Sequence, residues 1–234
     1  MVSQQMVVVS AVDWNSTTGW LRRYERNGQG WQINGPAFPV VLGSNGLAWG
    51  RGLNPISLPG PEKRDGDGKS PAGIFPLTYA FGYAPPDSVR EIKLPYVQCT
   101  STVECVDDTN SARYNMIMDQ KSVTAPDWKS SEKMRLSDDR YRLGVFVGQN
   151  TGQTVPGAGS CIFLHIWQGS EIPTTGCTAM SDGAMESLLG WLDQQSHPIL
   201  VQLPESEYTR FQSDWLLPAL EVTKTRDDAL RPSK

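Results

Sequence analysis

The sequence predicts a mainly β domain. Three observations carry that expectation. Its 22 Gly and 17 Pro interrupt the 234 residues at short intervals, β-branched and aromatic runs fill the spaces between them, and few stretches show a helical period. The length suffices for one domain with a full core. We expect residues 1–220 to form that single domain, with an irregular insertion over 84–142 and a disordered tail over 221–234.

The elements follow in order. "QMVVVSAVD", "GWLRRYERNG" and "GWQINGP" read as three strands, and Asn27-Gly28 marks a hairpin between the second and third. "PAFPVVLGSNGLAWGRG" adds a strand and then a glycine-rich loop. "RDGDGKSPAGIFPLTYAFGY" is a turn-rich approach to a strand from about Gly73 to Tyr83. Two motifs fail there: a phosphate-binding loop needs Gly where Lys63 stands, and a calcium loop starting at Asp65 needs Glu where Pro76 stands. Within 84–142 the pattern loosens into Pro pairs and charges, with short helices, one strand at "RYNMIMD", and an acidic run from Glu104 to Asp108 that reads as a solvated loop. "LGVFVG" and "SCIFLHIW" then resume a β pattern. Met185, Leu188, Leu189 and Leu192 fall at i, i+3, i+4 and i+7 behind the N-cap candidates Ser181 and Asp182, which predicts a helix over 182–195. "HPILVQLP" is a last strand, and "ESEYTRFQSDWLLPAL" a C-terminal amphipathic helix.

The totals exclude several functions. A charged fraction of 20% with a net charge of −4 gives no attraction to phosphate backbones, so nucleic acid is not an expected partner. No run approaches the roughly 18 apolar residues of a membrane span. The N-terminus lacks a cationic segment ahead of its apolar run and reads as a first strand. Four cysteines, at 99, 105, 161 and 177, are too few for a disulfide scaffold of this size.

The chemistry narrows to one stretch, because the chain has only two histidines. His197, before Pro198, reads as a surface loop residue. In "CIFLHIW", alternation places Ile162, Leu164 and Ile166 on one face and Cys161, Phe163, His165 and Trp167 on the other, so His165 leaves the face that most resembles a core. "QGSEIPTTG" then delivers Cys177 after Gly176, a residue that permits close approach or positive φ. A thiol beside an imidazole is the minimal acyl-transfer pair: the imidazole promotes the thiolate and later returns the proton to a leaving amine. The group that orients the imidazole is not identified by sequence. Two alternatives stand beside this reading: a packed histidine near a buried cysteine, and a zinc site of Cys161, His165 and Cys177, which no CxxC or HxxxH spacing supports. If Cys177 is a working thiol, three cysteines remain for one bridge and one bystander, and Cys105 with Cys161 is one conceivable pair. Met180 and Met185 read as core filler. Trp49 either lines a groove or covers the core edge.

"LHIW…TTGCTAM" resembles the active-site signature of the YkuD-type L,D-transpeptidases, and "GDGKSPAGIF" resembles a second block of that family. "GLAWGRGL", "ECVDD", "RYN" and "PGAGSCIFLHIW" are similar to a bacterial subgroup of the ErfK/YbiS/YcfS/YnhG type. The resemblance implies a β-sandwich of mixed sheets with a helix after the catalytic cysteine, a C-terminal helix and a partly irregular insertion. It implies Cys177 as nucleophile and His165 as base and acid, with Thr174 and Gly176 building the turn and backbone N–H groups near Gly176 and Cys177 binding the oxyanion. Thr175, Trp167, Tyr114, Asn115 and Trp49 are the candidate substrate-binding residues, and Trp128 joins Tyr114 and Asn115 on the acceptor side. The implied partners are peptidoglycan stem peptides in the periplasm or cell envelope. No metal or organic cofactor is required. Thr175 and Ala179 stand where many members carry His and Arg. Hydrolysis of the same linkages is therefore the alternative to transfer, and a non-catalytic wall-binding module is a third reading.

Overall fold

The computed structural model describes residues 2–54 and 58–220. The tail expected over 221–234 lies outside the described residues. Strands β1 (Gln5–Ala11), β2 (Thr18–Asn27), β3 (Gly30–Ile33), β4 (Phe38–Val41), β5 (Leu47–Trp49) and β6 (Ser70–Gly82) come first. The expected insertion holds β7 (Tyr96–Gln98), β8 (Val103–Val106), β9 (Ile117–Asp119) and β10 (Ser131–Lys133). Then come β11 (Leu143–Val147), β12 (Phe163–Ile166), β13 (Thr178–Met180), helix α1 (Asp182–Trp191), β14 (Ile199–Pro204) and helix α2 (Glu205–Phe211).

The mainly β expectation holds, and the strands close on themselves. β1 pairs with β14, and the path continues through β6, β11, β12, β13, β4 and β2, which pairs back with β1. A ring of this kind leaves no free edge within it. The resemblance implied a sandwich of mixed sheets; the principal sheet is this closed ring. Strand directions are mixed: β1–β14 and β12–β13 run parallel, and the other ring pairs antiparallel.

Local chemistry explains the joints. The β2–β3 hairpin turns at Gly28-Gln29, with Asn27 opposite Gly30. The Asn27 carboxamide accepts the Gln29 N–H at 2.9 Å, and Gly30 takes φ of +113°. Helix α1 starts where Ser181 Oγ accepts from the Ala184 N–H and buries Ala184, Met185, Leu188 and Leu189. It is shorter than the expected 182–195, because the backbone becomes extended at Leu192 and the Asp193 carboxylate caps the next turn instead. Helix α2 buries Tyr208 and Phe211, and the Phe211 ring stacks on Trp215 at 4.4 Å.

The insertion is more ordered than expected. Strands β10, β8 and β9 form a separate antiparallel sheet in that order, where one strand was anticipated. The acidic run is not a solvated loop: Glu104 lies in β8, fully buried, and accepts from Gln120 Nε2 at 2.7 Å, Trp128 Nε1 at 2.5 Å and Lys133 Nζ. Burial pushes this carboxyl up, but hydrogen bonds from Lys133, Ser131, Trp128 and Gln120 outweigh it and hold it down at about 2. The Trp128 indole N–H is thus engaged by Glu104.

Two hydrophobic clusters flank β12. The larger contains Val7, Leu21, Val145, Leu164, Met185 and Leu200. The smaller contains Phe81, Met134, Phe146, Phe163 and all four cysteines. Both faces of β12 are therefore buried. Met180 and Met185 are core residues, as expected. No helix among the described residues is long and apolar enough to cross a membrane.

Candidate active site

The turn ahead of β13 is pinned from three directions. Thr174 donates its N–H to the Leu42 carbonyl and accepts from the Ser44 N–H, both at 2.8 Å. Its hydroxyl donates to the Cys177 carbonyl at 2.6 Å and accepts from the Gly176 N–H at 3.1 Å. Ser70, fully buried in β6, donates a second hydroxyl bond to the same Cys177 carbonyl at 2.8 Å and accepts from the Gly43 N–H. Gly176 takes φ of +148°, as the turn requires, and an added Cβ would meet the Lys69 carbonyl oxygen at 3.2 Å. Thr174 and Gly176 do build the turn. The Gly176 N–H, however, is committed to Thr174 and is not free to bind an oxyanion in this conformation.

Cys177 is a free thiol and only 7% exposed. Its sulfur accepts the Phe163 N–H at 3.3 Å and donates toward the Cys161 carbonyl at 3.7 Å. His165 sits in β12 between Gly144 and Ala179 of the neighbouring strands. Its Nδ1 lies 2.8 Å from the Ile166 carbonyl, which can only accept. Nδ1 therefore carries the proton, and Nε2 presents its lone pair. The Tyr141 ring packs edge-on against the imidazole at 5.2 Å. Cys177 and His165 both line a cavity of about 150 Å3, together with Glu132, Tyr141, Trp167 and Thr175. Cys177 also lines a larger polar cavity of about 400 Å3, with Lys63, Asp65, Glu132, Ser160 and Gly176. The thiol stands where the two spaces meet.

His165 does leave the aliphatic face that Ile162, Leu164 and Ile166 turn to the larger cluster, but the face it joins is buried as well. His165 is 5% exposed, because the small sheet and Tyr141 cover that face of β12. Burial pushes its imidazole down to about 4, Arg140 adds to this, and the Ile166 carbonyl and Asp138 oppose it. Burial pushes the Cys177 thiol well above its ordinary value, and Glu132 adds to this against the Phe163 N–H and Lys63. At neutral pH the resting pair is a thiol and a neutral imidazole, not a thiolate–imidazolium pair. Glu132 is itself pushed up by burial, against the hydrogen bond that it accepts from Tyr141.

The other expected residues divide. Thr175 and Trp167 line the cavities. Trp49 does not: it is buried in the larger cluster, donates from Nε1 to the Pro59 carbonyl and packs edge-on against Trp14. Tyr114 and Asn115 do not line these two cavities but a separate one of about 580 Å3, with Tyr79, Met116 and Phe146. Tyr114 donates to Asp65 at 2.5 Å, and Asn115 accepts the Cys161 N–H at 2.9 Å. Cys105 and Cys161 form a disulfide, which removes Cys161 from the soft-ligand set, and Cys99 is free and buried. His197 is exposed in a turn, as expected. Ser70, Lys63, Glu132 and Tyr141 were missed, because each reaches the site from a distant segment and carries no local pattern.

The chain matches no protein-family profile and no curated protein. A solved structure, that of Bd1075 from Bdellovibrio bacteriovorus, aligns with 92% of this chain at 14% identity and a TM-score of 0.43. The alignment covers 55% of Bd1075, so the chain spans about half that protein's length.

Proposed function

We propose that the protein is a cysteine acyltransferase of the YkuD type that acts on peptidoglycan stem peptides. The observation that carries this reading is a free thiol and a neutral imidazole, its Nδ1 turned to the Ile166 carbonyl, lining one cavity. In the proposed reaction, Cys177 attacks the carbonyl of the third stem residue as His165 Nε2 takes the thiol proton. The tetrahedral adduct collapses to a thioester, and His165 returns the proton to the departing terminal D-alanine. A side-chain amine of a neighbouring stem then attacks the thioester and restores the thiol. A neutral imidazole suits the first step, since a protonated one could not accept. The Cys105–Cys161 bridge supports an oxidising compartment, in keeping with the cell envelope.

The test is incubation with a disaccharide-tetrapeptide and an amine acceptor, with a carbapenem as acylating probe. We expect a mass gain that maps to Cys177, no gain in Cys177→Ala, and a cross-linked product. Release of D-alanine without cross-linking would make the enzyme a hydrolase. Neither adduct nor product would leave only a wall-binding module.

A further inference from the structure

The Cys105–Cys161 bridge spans 56 residues and joins β8 of the small sheet to the segment that leads into β12. Cys161 has φ of +54°, a left-handed conformation that a residue with a Cβ avoids unless it is held. Two ties hold it: the bridge, and the bond from its N–H to Asn115 Oδ1 at 2.9 Å. Asn115 is fixed in turn, its Nδ2 donating to the Gln149 and Asn150 carbonyls. In this conformation the Cys161 carbonyl faces the Cys177 sulfur, and two residues on, the Phe163 N–H meets the same atom. Ser70 and Thr174 hold the Cys177 backbone independently.

We propose that the Cys105–Cys161 bridge is a positioning element for the nucleophile: it keeps Cys161 in the left-handed conformation from which its carbonyl and the Phe163 N–H meet the Cys177 sulfur. The proposal rests on reading Cys177 as the nucleophile. Cys105 is fully buried and Cys161 is 5% exposed, so bulk solvent touches little of the bridge. Cys99, free and buried in the same cluster, reports any general loosening.

Two double variants separate positioning from simple stapling. Cys105→Ala with Cys161→Ala removes the bridge and leaves a left-handed position for a residue with a Cβ. Cys105→Ala with Cys161→Gly removes the bridge but restores access to positive φ. Acylation of Cys177 by a carbapenem, followed by intact mass, should slow by about tenfold or more in the Ala pair and recover partly in the Gly pair. Cys99 should stay protected from iodoacetamide in both. Equal rates in wild type and the Ala pair, no difference between Ala and Gly, or Cys99 opening in step with Cys177 would each overturn the proposal. If wild type takes no carbapenem, the functional reading fails by itself. Iodoacetamide labelling of Cys177 then decides: a change of about fivefold between wild type and the Ala pair, with Gly between them, supports positioning, and equal rates refute it.

Discussion

Across β12 and the two residues that lead into it, one face carries Ile162, Leu164 and Ile166 into the larger cluster, and the other carries Cys161 and Phe163 into the smaller one, with His165 beside them. The aliphatic face has no side-chain polar atom to satisfy. The opposite face buries an imidazole beside a thiol, a phenol and a carboxyl, and each has a partner: Ile166 for the ring, Phe163 and Cys161 for the sulfur, Glu132 for Tyr141. Equal burial therefore has different consequences. On the first face it contributes stability that does not depend on pH, and on the second it couples stability to protonation.

The sharpest break between the faces is a pair of substitutions. Leu164→Ala should cost about 2–5 kcal/mol in urea denaturation, with acylation of the folded fraction retained, whereas Cys177→Ala should cost about 1 kcal/mol and lose all acylation. Both costs falling on the same residue would abolish the contrast.

The pH dependence comes next. The unfolded chain protonates His165 below about 6.5, and the native ring resists until about 4. Wild type should therefore lose on the order of 3 kcal/mol as pH falls from 6.5 to 4, a loss absent from His165→Gln. Glu104 acts in a lower window: its depressed carboxyl stabilises the fold above its ordinary value of about 4.5 and loses that contribution toward pH 2. Denaturation midpoints measured across both windows resolve the two groups.

Tyr141→Phe leaves the Glu132 oxygen without its phenolic donor while keeping the ring against His165, and should cost about 1–3 kcal/mol by thermal or urea unfolding. Thr174→Val is the mildest. It removes one of two hydroxyl donors to the Cys177 carbonyl and the acceptor of the Gly176 N–H, and Ser70 still holds that carbonyl, so about 1 kcal/mol is expected.

Much of this was legible where residues act locally. The hairpin signal at Asn27-Gly28, the alternation in β12 and the spacing of Met185, Leu188 and Leu189 all describe neighbours in sequence, and the structure follows them, with the hairpin turn one residue on at Gly28-Gln29. Strands of three or four residues, such as β8, β10 and β13, are too short to carry a period, so the small sheet was invisible, and with it the burial of His165 and Glu104. Cys177 and His165 could be named because the chain offers so few alternatives. Ser70 lies 107 residues from the carbonyl that it holds, and no pattern of spacing reports such a contact.

His165 has glycine on one flank and alanine on the other, Gly144 and Ala179 in the paired strands. The glycine side is closed to change, since a Cβ there would lie 2.3 Å from the Phe81 ring. Position 179 is the other flank: Ala179 is fully buried and lines the same cavity as the imidazole and the thiol, so any larger side chain there would have to displace its neighbours.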